Sequence, residues 1–142
     1  MDAINQLIFW LHFMALALAG LPAFGIPLLS ARIATADPAA RPALGQSIQL
    51  FSKLGSVAMG TLLLTGAIMT MTKVGGFGAQ GTWFWVKLVL VATLFTVVIV
   101  SKKLGARAMA GDAAAGKTAA LLSKVSITLM ALVVAAAVMA FG

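Results

Sequence analysis

Cysteine is absent from this chain, which excludes disulfides, iron–sulfur clusters and thiolate metal sites. Acidic residues are limited to Asp2, Asp37 and Asp112, and none of them falls within an apolar run. A proton- or cation-coupled transporter would therefore lack its usual intramembrane acid. These three residues form no paired-carboxylate pattern for general acid–base hydrolysis. Histidine occurs once, as His12, so a His-cluster zinc site is excluded as well. Charged residues make up 9% of the 142 positions, against about 25% in a soluble domain. Hydrophobic residues take their place at 62%. Such a composition describes an integral membrane protein with little chain outside the bilayer, expected as a single domain over residues 1–142.

The net charge of +7 resembles a nucleic-acid signal, but the basic residues sit in short loops and at the ends of apolar runs. Topology and anionic headgroups produce that distribution, and no nucleic-acid partner is expected.

Four membrane spans are predicted, near residues 5–30, 50–72, 83–104 and 119–141. The first opens with Asp2 and no Lys or Arg, and its apolar length exceeds that of a signal-peptide core. It is therefore expected to be retained. Pro22 and Pro27 in its second half each remove a backbone hydrogen bond and favour a kink. Asp37-Pro38 reads as an N-cap and first turn, so the second helix is expected from about Ala39 to Met71. Ser52, Ser56 and Gly60 form a strip of small residues for close helix approach, and Ala131 and Ala135 do the same in the fourth span. Lys73 to Gly81 is a Gly-rich connector without the Gly-Lys-Ser/Thr ending of a phosphate loop. Thr82 is the expected N-cap of the third helix and Asp112 that of the fourth, with a loop from Gly105 to Lys117 before it.

Lys and Arg gather on one side. Arg32 and Arg41 lie in the first loop, Lys102, Lys103, Arg107 and Lys117 in or beside the third, and Lys53 and Lys124 at helix ends on the same side. Only Lys73 and Lys87 fall opposite. The positive-inside rule then places loops one and three in the cytoplasm and both termini outside. The expected fold is an all-α, antiparallel four-helix transmembrane bundle, multi-pass in a bacterial inner membrane.

Lys87 sits about one turn inside the third span, in Trp83-Phe84-Trp85-Val86-Lys87-Leu88. A charge at mid-span costs about 2.5–3.5 kcal/mol, less near an end. Lys87 therefore either snorkels to the interface beside the Trp pair or points inward at a partner. His12 falls at a similar depth on the first span, and the second helix carries Thr65, Met69, Thr70 and Met71 toward the same surface. Imidazole and thioether are both axial haem ligands and both bind copper. Packing roles fit the same residues. A His in a span can hydrogen-bond a neighbouring helix, and Met69 and Met71, two apart, point in different directions.

The segments Trp10-Leu11-His12-Phe13, Leu64-Thr65-Gly66-Ala67-Ile68-Met69 and Trp85-Val86-Lys87-Leu88-Val89 resemble those of small four-span membrane proteins of the HemJ and CopD type. The resemblance covers the first three spans. HemJ-type proteins are haem-b-associated protoporphyrinogen oxidases with a functional His in the first helix and Lys in the third. Carried over, these would be His12 and Lys87. CopD-type proteins are linked to copper handling.

Three functional readings stand at this point. In the first, a haem b lies in the outer leaflet between helices one, two and three, with a redox role like that of HemJ-type proteins. His12 is then the axial ligand, Lys87 is a second ligand or a propionate partner, and Met69 is a further cofactor-binding candidate. In the second, the chain is a non-catalytic accessory subunit of a larger respiratory or photosynthetic complex, and His12 is structural. In the third, His12, Met69 and Met71 handle copper. Whether the chain is an enzyme stays open; if it is, a bound cofactor does the chemistry. The partners expected are the lipid bilayer and either further copies of the chain or a larger membrane complex.

Overall fold

The computed structural model describes residues 3–73, 78 and 81–141. Four helices account for nearly all of them: α1 (Ala3–Thr35), α2 (Arg41–Lys73), α3 (Thr82–Met109) and α4 (Ala113–Phe141). Among the described residues there is no strand. All four helices are long and apolar enough to cross a membrane, as those of a multi-pass membrane protein are. α1 and α2 have 33 residues each, about 50 Å of helix against a hydrocarbon core of about 30 Å.

Large apolar side chains cover all sides of the helices. Trp10 and Leu28 on α1, Leu64 on α2, Val89 on α3 and Val138 on α4 are all well exposed. A helix that is apolar all round suits lipid and not water. The buried residues are few and mostly small: Ala15, Ala58, Ala115 and Ala136 with Phe84, Leu94, Thr65 and Thr70. Small residues let helix backbones approach where no hydrophobic effect drives them together.

The chain forms two compact units, residues 1–79 and 80–142, each an antiparallel hairpin of two helices. In the first, the Pro22 ring packs where a side chain at Gly55 would stand; a Cβ there would lie 2.8 Å from Pro22 Cγ. One turn further along α1, a Cβ at Gly25 would lie 2.6 Å from the Phe51 ring. Toward the other end, Thr72 Oγ1 lies 3.4 Å from Asn5 Oδ1. Partners descend α2 as they ascend α1, which defines the register. α1 stays helical through both Pro22 and Pro27.

The second hairpin turns in three residues. Asp112 N–H donates to the Arg107 carbonyl (3.2 Å) and Gly111 N–H to that of Ala108 (3.1 Å). This is a Schellman ending, with Gly111 at φ +104°. Asp112 Oδ1 then accepts from Ala115 N–H at 3.0 Å, so it caps α4 as expected. Gly116 lies against Ala108, with 3.4 Å from its would-be Cβ to the Ala108 Cβ.

Several expectations are corrected. α3 continues through Gly105 to Met109 and α4 begins at Ala113, so the expected loop from Gly105 to Lys117 shrinks to 110–112. The Ala-rich ends carry helix propensity beyond the apolar spans. Gly81, with extended backbone and no side-chain cap, takes the N-cap position of α3, and Thr82 is already helical. The Asp37 carbonyl accepts from Ala40 N–H (2.9 Å) in a separate turn, so α2 starts at Arg41 and not Ala39. Ser56 and Gly60 lie on the exposed side of α2, and the residues against α1 are Phe51 and Gly55. Ala131 and Ala135 are exposed while Ala136 is buried. Most of the Gly-rich connector expected at 73–81 lies outside the described residues.

The Gly55–Pro22 contact yields a direct test. Gly55→Ala forces a methyl against a rigid ring and is expected to destabilise the protein in detergent by about 1–3 kcal/mol. Gly60→Ala meets nothing within 4 Å and should leave stability unchanged or raised. Equal thermal midpoints for the two variants would show that α1 and α2 do not pack in this register.

Candidate functional site

The hairpin register brings His12 of α1 opposite Thr65 of α2. His12 lies 23 residues before the end of α1 and Thr65 lies 24 after the start of α2, so the two stand level. His12 Nδ1 is 2.8 Å from Thr65 Oγ1. Thr65 is buried, with 5% of its surface exposed, and His12 is half-buried. The imidazole edge passes over Gly66, whose would-be Cβ lies 3.5 Å from His12 Cε1.

The second contact of Thr65 bears on the direction of this bond. Its Oγ1 lies 2.6 Å from the Thr61 carbonyl, with the Leu62 carbonyl at 3.4 Å. A hydroxyl has one proton and two lone pairs. Two oxygens 2.6 Å apart attract only with a proton between them, so Thr65 donates to Thr61. With that proton committed, the contact with His12 fits the tautomer that carries its hydrogen on Nδ1. In a neutral imidazole the lone pair is then at Nε2. A ligating histidine is commonly held this way, one nitrogen donating to an oriented oxygen and the other facing the metal.

Met69, one turn beyond Thr65, is half-buried in the same hairpin, whereas Met71 is 67% exposed. The two thioethers thus point in different directions. Thr70 is buried, and its hydroxyl donates to the Gly66 carbonyl at 2.8 Å. Lys87 belongs to the second hairpin, half-buried in the first turns of α3. Beside it Phe84 and Trp85 meet edge to face, with ring centroids 6.0 Å apart. Among the described residues no three His, Asp or Glu side chains gather as a metal cage would require.

No family model, curated protein or solved structure matches the chain. The site therefore rests on its own geometry. Sequence reasoning carried Thr65 toward the outer surface but missed it as the partner of His12. The signal was present in the near-equal distance of the two residues from the α1–α2 turn.

Thr65→Val keeps the shape of the side chain and removes the acceptor. Interhelical hydrogen bonds in membranes contribute about 0.6 kcal/mol on average and up to about 1.7, so a stability loss in that range is expected. In nitrogen-15 spectra of selectively labelled protein, the single imidazole should be protonated on Nδ1 in the wild type and in Thr65→Ser, and lose that preference in Thr65→Val. A wild-type imidazole protonated on Nε2 would reverse the assignment.

Proposed function

We propose that this chain is a small inner-membrane protein that binds haem b through Nε2 of His12 and has a redox role. The observation that supports this most is the 2.8 Å contact between His12 Nδ1 and the buried Thr65 hydroxyl, which orients the ring from behind. A porphyrin brings four nitrogen donors of its own, so one imidazole suffices where no three-residue cage of His, Asp or Glu exists among the described residues. When bound, the haem supplies one-electron chemistry; the residues of the chain hold and orient it and exclude water. Met69 is the candidate for a second ligand in the same hairpin. The short resemblance to HemJ-type proteins around His12, Thr65 and Lys87 agrees with this reading.

The proposed topology has both termini outside. Arg32 and Arg41 flank the turn of the first hairpin, and Lys102, Lys103, Arg107 and Lys117 flank that of the second. The positive-inside rule puts these turns in the cytoplasm, and His12 then lies in the outer leaflet.

A second reading draws on the same contact. The His12–Thr65 bond ties α1 to α2 whether or not a cofactor is present, as an accessory subunit packed into a larger membrane complex would need. A dithionite-reduced minus oxidised absorption spectrum separates the two. Protein purified from haem-replete membranes is expected to give b-type bands that His12→Ala abolishes, with helicity retained in the mutant. If the wild-type protein shows no haem band, the haem reading fails and the packing role of His12 remains.

A further inference from the structure

The first hairpin also opens a groove at the end where α1 turns into α2. It is a shallow, open depression of about 550 Å³ between Leu28, Leu29, Arg32, Thr35, Ala36 and Leu44. Its chemistry changes along the helix axis. Leu28 and Leu29 close the apolar run of α1, Leu44 faces them from α2, and Arg32 is the first charge beyond the run. The Thr35 hydroxyl turns back to donate to the Arg32 carbonyl (3.3 Å), so polar recognition rests with the guanidinium. Arg41 stands at the same end, its Nε donating to the Ala36 carbonyl at 3.1 Å. One carboxylate, Asp37, lies in the turn between the two arginines.

We propose that this groove binds an anionic glycerophospholipid, its phosphate on Arg32 and an acyl chain along Leu28, Leu29 and Leu44. The proposal rests on the hairpin spanning a bilayer and not on any cofactor at His12. Three features favour this occupant. The groove lies where the apolar run meets its first charge, the depth at which a lipid passes from acyl chain to phosphate. Its lining is apolar on both helices, with Leu28 and Leu29 on α1 and Leu44 on α2, so an acyl chain meets apolar side chains from two sides. Its charge complements the ligand, because a planar guanidinium matches two phosphate oxygens at once. A zwitterionic lipid offers the same acyl chain, but its own cation competes with Arg32. Selectivity therefore arises at the headgroup. Arg32 lies 20 residues along α1 from His12, about 30 Å of helix, so the two sites can be tested separately.

The test is native mass spectrometry of the whole protein released from nanodiscs containing equal amounts of dioleoyl phosphatidylglycerol and dioleoyl phosphatidylcholine. The wild type is expected to retain the anionic lipid in excess. Arg32→Gln should lower the ratio of anionic to zwitterionic adducts about fivefold. Leu44→Trp, which fills the groove, should lower both adducts. Lys117→Gln, in the second hairpin, removes a charge elsewhere and should leave the ratio unchanged. Arg32→Lys keeps the charge without the fork and should fall between; it replaces Arg32→Gln if circular dichroism shows that variant unfolded. An unchanged ratio in the Arg32 variants overturns the proposal. So does an equal fall in Lys117→Gln, which would assign the preference to overall charge.

Discussion

Hydrocarbon offers a polar group no water to bond with, and the polar detail of this chain is organised by that constraint. Ser and Thr occur throughout the helices, and their hydroxyls turn inward to the carbonyl one turn back. Thr61 donates to Val57, Thr93 to Val89, Thr96 to Ala92 and Ser126 to Leu122, all between 2.8 and 3.0 Å. Among the described residues no buried side-chain nitrogen or oxygen lacks a partner. At Thr65 the same local habit has a second effect. Its proton goes to the Thr61 carbonyl, and its oxygen still meets the imidazole of His12 on the facing helix. One hydroxyl thus meets a backbone need of its own helix and ties that helix to the only histidine in the chain.

Packing between the helices follows from a different shortage. Lipid tails solvate leucine as well as another helix does, so close approach must come from shape. Gly55 under Pro22 and Gly25 under Phe51 are notches that accept a neighbouring ring. The proline that removes a hydrogen bond from α1 is also the side chain that locks into α2. His12 over Gly66 is a looser instance of the same device, and there the group set down over the glycine is one that can do chemistry.

Hydropathy made the number and order of the helices legible, because a run of about 20 apolar residues has few other uses. It marks the part of a helix inside the membrane, however, and not where the helix stops. That is why α3 and α4 run past the ends expected from Leu104 and Ala119. The small-residue strips do not form the contacts within each hairpin, for a related reason. A spacing of four says that Ser52, Ser56 and Gly60 share a face, but not which face meets a partner. In α2 the rotation is set by the fit of Pro22 against Gly55, one position away from Ser56, and in α4 the buried position is Ala136, next to Ala135. His12 was legible as the one unusual residue of its span. Its partner Thr65 was one of many similar hydroxyls until the register singled it out.

The turn at 110–112 constrains the second hairpin as a whole. Three residues reach at most about 10 Å, well short of the bilayer. α4 therefore starts on whichever side of a membrane α3 ends, and the two helices cannot be drawn apart without unwinding their facing ends.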